Sequence, residues 1–164
     1  MEIKVTNYLL TDHSLTLDLQ AKMRFIHPAL QEFKKLKVPV SVAYNIIKSI
    51  GVVERAIKDY DSTRIAILES LCEKDAKGTS VVEEGKYKFS GNNHSEFNKK
   101  WQELLNVEIS LEIFPISHKD IVDIKEINIS CYETLMKYGF IQEDIQLDEK
   151  PTNGKASRKE LIES

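Results

Sequence analysis

The chain has 164 residues, 41% of them hydrophobic and 30% charged, with a formal charge of -3. That is enough for one domain with a proper core and too little for two ordinary ones, and the acidic balance disfavours a non-specific nucleic-acid coat. No run reaches the roughly 18 apolar residues of a membrane span, and the opening MEIKVTNYLL lacks the apolar core of a secretion signal.

Residues 2–10 read as a strand, with Ile3 and Val5 alternating with Glu2, Lys4 and Thr6, and Tyr8 to Leu10 prolonging the run. Thr11 to Ser14 punctuates it. Ser14 or Asp12 is then a helix cap, followed by Leu15, Leu19, Met23, Ile26, Leu30 and Phe33 at helical spacing. Pro28 lies inside that pattern and should kink or split it near Ile26–His27.

The next element is the most informative. Roughly Pro39 to Ala76 reads as one long helix with an apolar seam of Ile46, Ile50, Val53, Ile57, Tyr60, Arg64, Ile67 and Leu71. The spacings alternate four and three, as in helices packed side by side. Arg64 alone breaks the seam, and Tyr60 and Arg64, one turn apart, are residue types common at protein interfaces. Gly51 predicts a close helix approach or a bend, and Gly78 a C-terminal cap. With the first helix, this segment predicts an antiparallel hairpin. If the long helix projects beyond its cover, the bare seam predicts a dimer.

Thr79–Val82 and Tyr87–Phe89 read as short strands around Glu83-Glu84-Gly85. Asn93 or Ser95 caps a helix through Phe97, Trp101, Leu104 and Leu105, with Trp101 mostly buried. Residues 107–114 alternate most clearly, with Val107, Ile109, Leu111 and Ile113 on one face, until Pro115. Ile116 to Ile129 fits either period. Ser130, at capping-box spacing from Glu133, opens a helix through Tyr132, Leu135 and Met136 that Gly139 closes. The expected fold is α+β: an antiparallel long-helix hairpin packed with a small, mostly antiparallel β-sheet (residues 2–10, 81–89 and 107–114) and additional short helices. Residues 1–147 form the domain, and 148–164 read as a flexible C-terminal tail.

Motifs for chemistry are sparse. Cys72 and Cys131 form no CxxC pair and read as buried apolar side chains. His13, His27, His94 and His118 make no zinc-ligand spacing, and no phosphate-binding glycine loop is present, so neither cofactor nor metal is expected. Glu108 and Glu112 share a strand face, and with Asp120 or Asp123 they define a metal-dependent hydrolase or nuclease as the weakest alternative. Lys34, Lys35 and Lys37, with Lys86 and Lys88 beside aromatic Tyr87 and Phe89, define a nucleic-acid-binding alternative.

Lys4-Val5-Thr6-Asn7-Tyr8-Leu9-Leu10, Val42-Ala43-Tyr44-Asn45-Ile46, Tyr60 to Arg64, Glu73 to Gly78, and Tyr87-Lys88-Phe89 through Glu96-Phe97-Asn98 to Glu103-Leu104-Leu105 carry a resemblance. Together, over about residues 3–140, they resemble a small uncharacterised protein family of tailed phages and prophages of Gram-positive bacteria. The resemblance implies a phage-encoded accessory protein in the host cytoplasm. It maps no catalytic residue. The expected function is non-enzymatic protein–protein interaction, in morphogenesis or host-factor modulation, with a protein partner or a second copy. The candidate interface residues are Ile50, Ile57, Tyr60 and Arg64.

Overall fold

A computed structural model describes residues 1–14 and 17–144. The fold is mixed α+β, with one long helix and a small antiparallel sheet. The tail expected at 148–164 lies outside the described residues, as do Leu15 and Thr16.

The first strand is shorter than its apolar run. Strand β1 spans Glu2–Thr6, and Asn7–Leu9 turns into a single 3-10 turn. Asn7 causes the change. It is buried, its backbone N–H still pairs with Val107, and its side-chain amide donates to the Leu104 carbonyl at 2.9 Å. The expected first helix is two helices, α1 at Leu19–Lys22 and α2 at Ile26–Lys34. Asp18, not Asp12 or Ser14, caps α1 by accepting from the Ala21 N–H. Phe25 is extended between them, which puts Pro28 in the first turn of α2, where its missing N–H costs no helical bond.

Helix α3 runs unbroken over Val40–Leu71, 32 residues and about 48 Å at 1.5 Å per residue. Gly51 does not interrupt it and admits no close neighbour, since a Cβ there would meet nothing within 4 Å. The helix ends before Ala76 because Cys72 is extended and Glu73 bonds to Lys88 and Val81 instead. Gly78 therefore closes the Asp75–Gly78 turn, not the helix.

The hairpin is lopsided. The nine residues of α2 cover only the first half of α3: His27, near the start of α2, reaches Glu54 at the middle of α3. The second half is covered by α4, Asn93–Leu105. The apolar seam packs mainly within one chain. Ile46, Ile50, Val53 and Tyr60 are buried, and Ile57, Ile67 and Leu71 are half-buried.

The expected three-stranded sheet is instead three separate pairs. β1 pairs antiparallel with β4 (Glu108–Glu112). The hairpin β2 (Val82–Glu83) and β3 (Lys86–Tyr87) stands apart, turning through Glu84 and Gly85 at φ of 51° and 75°, the geometry of a two-residue turn. β5 (Ile116–Ser117) and β6 (Ile141–Gln142) form a parallel pair that two-residue strands do not announce in sequence. Helix α5 spans Ile129–Lys137 and is capped by Asn128, which accepts from the Cys131 N–H, and not by Ser130. The core centres on α2, held between α3 and α5, with Leu30 and Phe33 fully buried.

Candidate functional site

The Tyr60/Arg64 interruption of the seam opens onto a pocket of about 470 Å³ between α3, α4 and the segment after β1. Ile57, Tyr60, Asp61 and Arg64 recur at helical spacing, so one face of α3 presents all four. Trp101, half-buried on α4, forms the opposite wall, and Asp12 and His13 form the rim.

Each side chain is held. Trp101 Nε1 donates to Tyr60 Oη at 2.6 Å. Trp101 stacks on Phe97, which stacks on Phe89, at centroid distances of 6.2 and 5.7 Å. His13 meets Tyr60 edge-on at 5.4 Å and lies over Tyr8 at 5.8 Å, and Tyr8 contacts Phe25. A line of aromatic rings therefore links α4, α3, the segment after β1, and the start of α2. Asp12 turns back to accept from the Ser14 N–H at 2.7 Å. Arg64 Nε lies 3.7 Å from Asp61 Oδ1, with both side chains partly exposed. With one guanidinium and two carboxylates, the pocket has a net negative charge.

Burial raises the Tyr60 phenol above its ordinary value of 10.0, against the opposing pull of the Trp101 hydrogen bond and Arg64. Tyr60 thus stays a neutral hydroxyl, accepting from Trp101 and keeping its own proton to donate.

Ile57 lines the pocket, half-buried, and Ile50 is 6% exposed inside the core. Lys34, Lys35 and Lys37 surround the start of α3, with Lys35 Nζ 2.7 Å from Glu32. Lys86 and Lys88 lie beyond its other end, where Lys88 pairs with Glu73. The two groups are separated by the length of α3 and make no shared basic patch. The Glu83 hydrogen bond, with the charges of Glu83 and Glu73, raises the Lys88 pKa. The hollow over that hairpin, about 710 Å³, is lined by Glu83 to Lys88 of one ribbon and has no second wall. Glu108 and Glu112 stay on the outer face of β4, and among the described residues no three His, Cys, Asp or Glu converge to hold a metal ion. The carboxylate set of the hydrolase alternative therefore does not assemble.

Two pocket residues escaped sequence reasoning as a unit. His13 sits in what reads as turn punctuation, and Asp12 reads as a cap. Only the reversal of the chain after Asn7 brings them to Tyr60. Among the described residues, no helix is long and apolar enough to cross a membrane. Comparisons with protein-family models, curated proteins and solved structures found no match.

Proposed function

We propose that this is a non-enzymatic recognition protein that binds a partner protein through the Tyr60–Trp101 pocket. On the resemblance drawn from its sequence, it is a phage accessory protein of the host cytoplasm, acting in morphogenesis or on a host factor. One observation carries the reading: Trp, Tyr and Arg, the residue types enriched at binding hot spots, meet in one partly open pocket and are fixed there by their own contacts. Pre-set aromatic walls lower the ordering cost of binding.

Two carboxylates beside aromatic faces favour a cationic side chain, which gains both ion pairing and cation–π attraction. The pocket's occupant is therefore an arginine or lysine on the partner's surface. The test uses N-acetyl-arginine amide and its neutral isostere, N-acetyl-citrulline amide, against the full chain. The chain has one tryptophan, so its indole N–H resonance reports on this pocket alone. The arginine compound should shift it and the citrulline compound should not. Equal shifts, or none, would refute the reading.

A further inference from the structure

The antiparallel β1–β4 pair has a free edge whose surroundings are specific. Asn7 N–H bonds to Val107 C=O, and Ile113 N–H bonds to Met1 C=O. The register between them, Glu2 opposite Glu112 through Thr6 opposite Glu108, keeps that parity. Odd-numbered residues of β4 thus pair with β1, and the N–H and C=O of Glu108, Ser110 and Glu112 point away from it.

Phe114 continues the same parity. Its N–H donates to Ser49 Oγ at 3.0 Å, and its C=O accepts from the Ser49 hydroxyl at 3.2 Å. Pro115 C=O accepts from Asn45 Nδ2 at 2.9 Å. Helix α3 therefore runs beside this edge and closes one end of it with polar side chains that stand in for a neighbouring strand. Two turns further along α3 the closure stops. The edge groups of Glu108, Ser110 and Glu112 have no partner among the described residues. Beside them opens a hollow of about 310 Å³, walled by Ala56, Asp59 and Thr63 and floored by Leu104, Ile109 and Leu111. Ser110 of the edge lines it as well, and from the β1 side only Asn7, just past the strand's end, reaches it, so it opens along the free side of β4.

We propose that this edge is a strand-addition site, taking an extended segment of a partner protein in which apolar residues alternate with basic ones. Backbone pairing would use the three outward N–H and C=O sets. Alternate side chains of the added strand fall on opposite faces, so one set enters the apolar hollow and the other lies beside the outer face of β4. That outer set meets Glu108 and Glu112, and the hollow's lining holds Asp59 and no basic side chain. Lys4 approaches Glu108 at 3.6 Å from the β1 side, leaving Glu112 the less neutralised of the two. The same charges disfavour a second copy: an antiparallel β4–β4 contact centred on Ser110 sets Glu108 opposite Glu112 twice. The hollow shares Tyr60 with the aromatic pocket, but the free backbone edge of β4 does not depend on how that pocket is read.

The test follows amide hydrogen exchange in the full chain with three capped heptapeptides. These are alternating Val–Lys, the same peptide N-methylated at every residue, and alternating Val–Glu. Saturating Val–Lys peptide should slow exchange at Glu108, Ser110 and Glu112 by about tenfold or more, and the other two peptides should not. Ser110→Pro removes an outward donor without touching the β1 ladder and should weaken Val–Lys binding about tenfold. If that variant fails to fold, the N-methylated peptide alone decides. Unchanged exchange with Val–Lys, or equal binding of the N-methylated peptide, would overturn the proposal. So would protection of the three amides before any peptide is added, because the edge would then already be filled by residues 145–164 or by a second copy.

Discussion

Trp101 on α4 donates its indole N–H to the Tyr60 hydroxyl on α3 at 2.6 Å, and this bond ties together the two walls of the aromatic pocket. Tyr60→Phe removes the acceptor and little else. Trp101 is half-buried, so its N–H can turn to water, and the loss should be near the usual net value of a hydrogen bond, about 1 kcal/mol. Urea unfolding measures that loss. The intrinsic fluorescence of the chain's one tryptophan should shift at the same time, because its immediate polar partner has changed.

Ser49 is 1% exposed and serves both edge groups of Phe114. Ser49→Ala keeps helix α3 and leaves a backbone N–H and C=O without their partner. A destabilisation of about 1–3 kcal/mol is expected, more than an exposed Ser→Ala in the same helix would cause. Equal losses at Ser49 and at exposed Ser62 would show that the β4 edge is not closed by this hydroxyl.

Cys131 is 1% exposed, and its thiol donates to the Ala29 carbonyl at 3.0 Å. Burial, helped by the Glu32 charge, pushes its pKa from 9.0 up to about 12. In the unfolded chain the thiol ionises first, so the folded state binds more protons between those values. Stability should therefore fall as pH rises from 9.0 to about 12, by up to about 1.4 kcal/mol per pH unit from this group. Cys131→Ala should flatten that part of the pH profile, whatever its effect at neutral pH. The native thiol should also resist alkylation at pH 8.

The glycines separate in sign. Gly51 lies inside α3 with open space around its missing Cβ, so Gly51→Ala should stabilise by about 1 kcal/mol. Gly139 closes α5 at φ +81°, and a Cβ there would come 2.9 Å from the Met1 side chain. Gly139→Ala should destabilise by about 1–2 kcal/mol, mainly through the left-handed backbone. Thermal melts of both variants check the pair.

Much of the scaffold is legible in sequence because its signals are long. The four–three spacing from Ile46 to Leu71 survives one arginine, and the alternation from Val107 to Ile113 is unbroken. Short-range signals mislead where tertiary contacts compete. Tyr8 to Leu10 reads as strand, but burying Asn7 against Leu104 turns the chain. Ser130 has capping-box spacing, yet Asn128 reaches the Cys131 N–H first. The two-residue parallel pair of β5 and β6 is held by burial of Ile116 and Ile141, not by local pattern. The pocket is half legible. Arg64 stands out as the break in an apolar seam, with Tyr60 one turn before it, whereas Asp12 reads only as a helix cap and His13 only as turn punctuation. The stripe Asn45, Ser49, Asp59 and Thr63 looks like solvent-facing helix until the edge of β4 is seen beside it.

The central claim is that the Tyr60–Trp101 pocket receives a cationic side chain. The most direct measurement is a crystal structure of the full chain grown with N-acetyl-arginine amide. The guanidinium is predicted within about 6 Å of the Trp101 or Tyr60 ring centroid, hydrogen-bonded to Asp12 or Asp61. A pocket left empty at saturating concentration, or filled by the chain's own Arg64 with the ligand bound elsewhere, would contradict it.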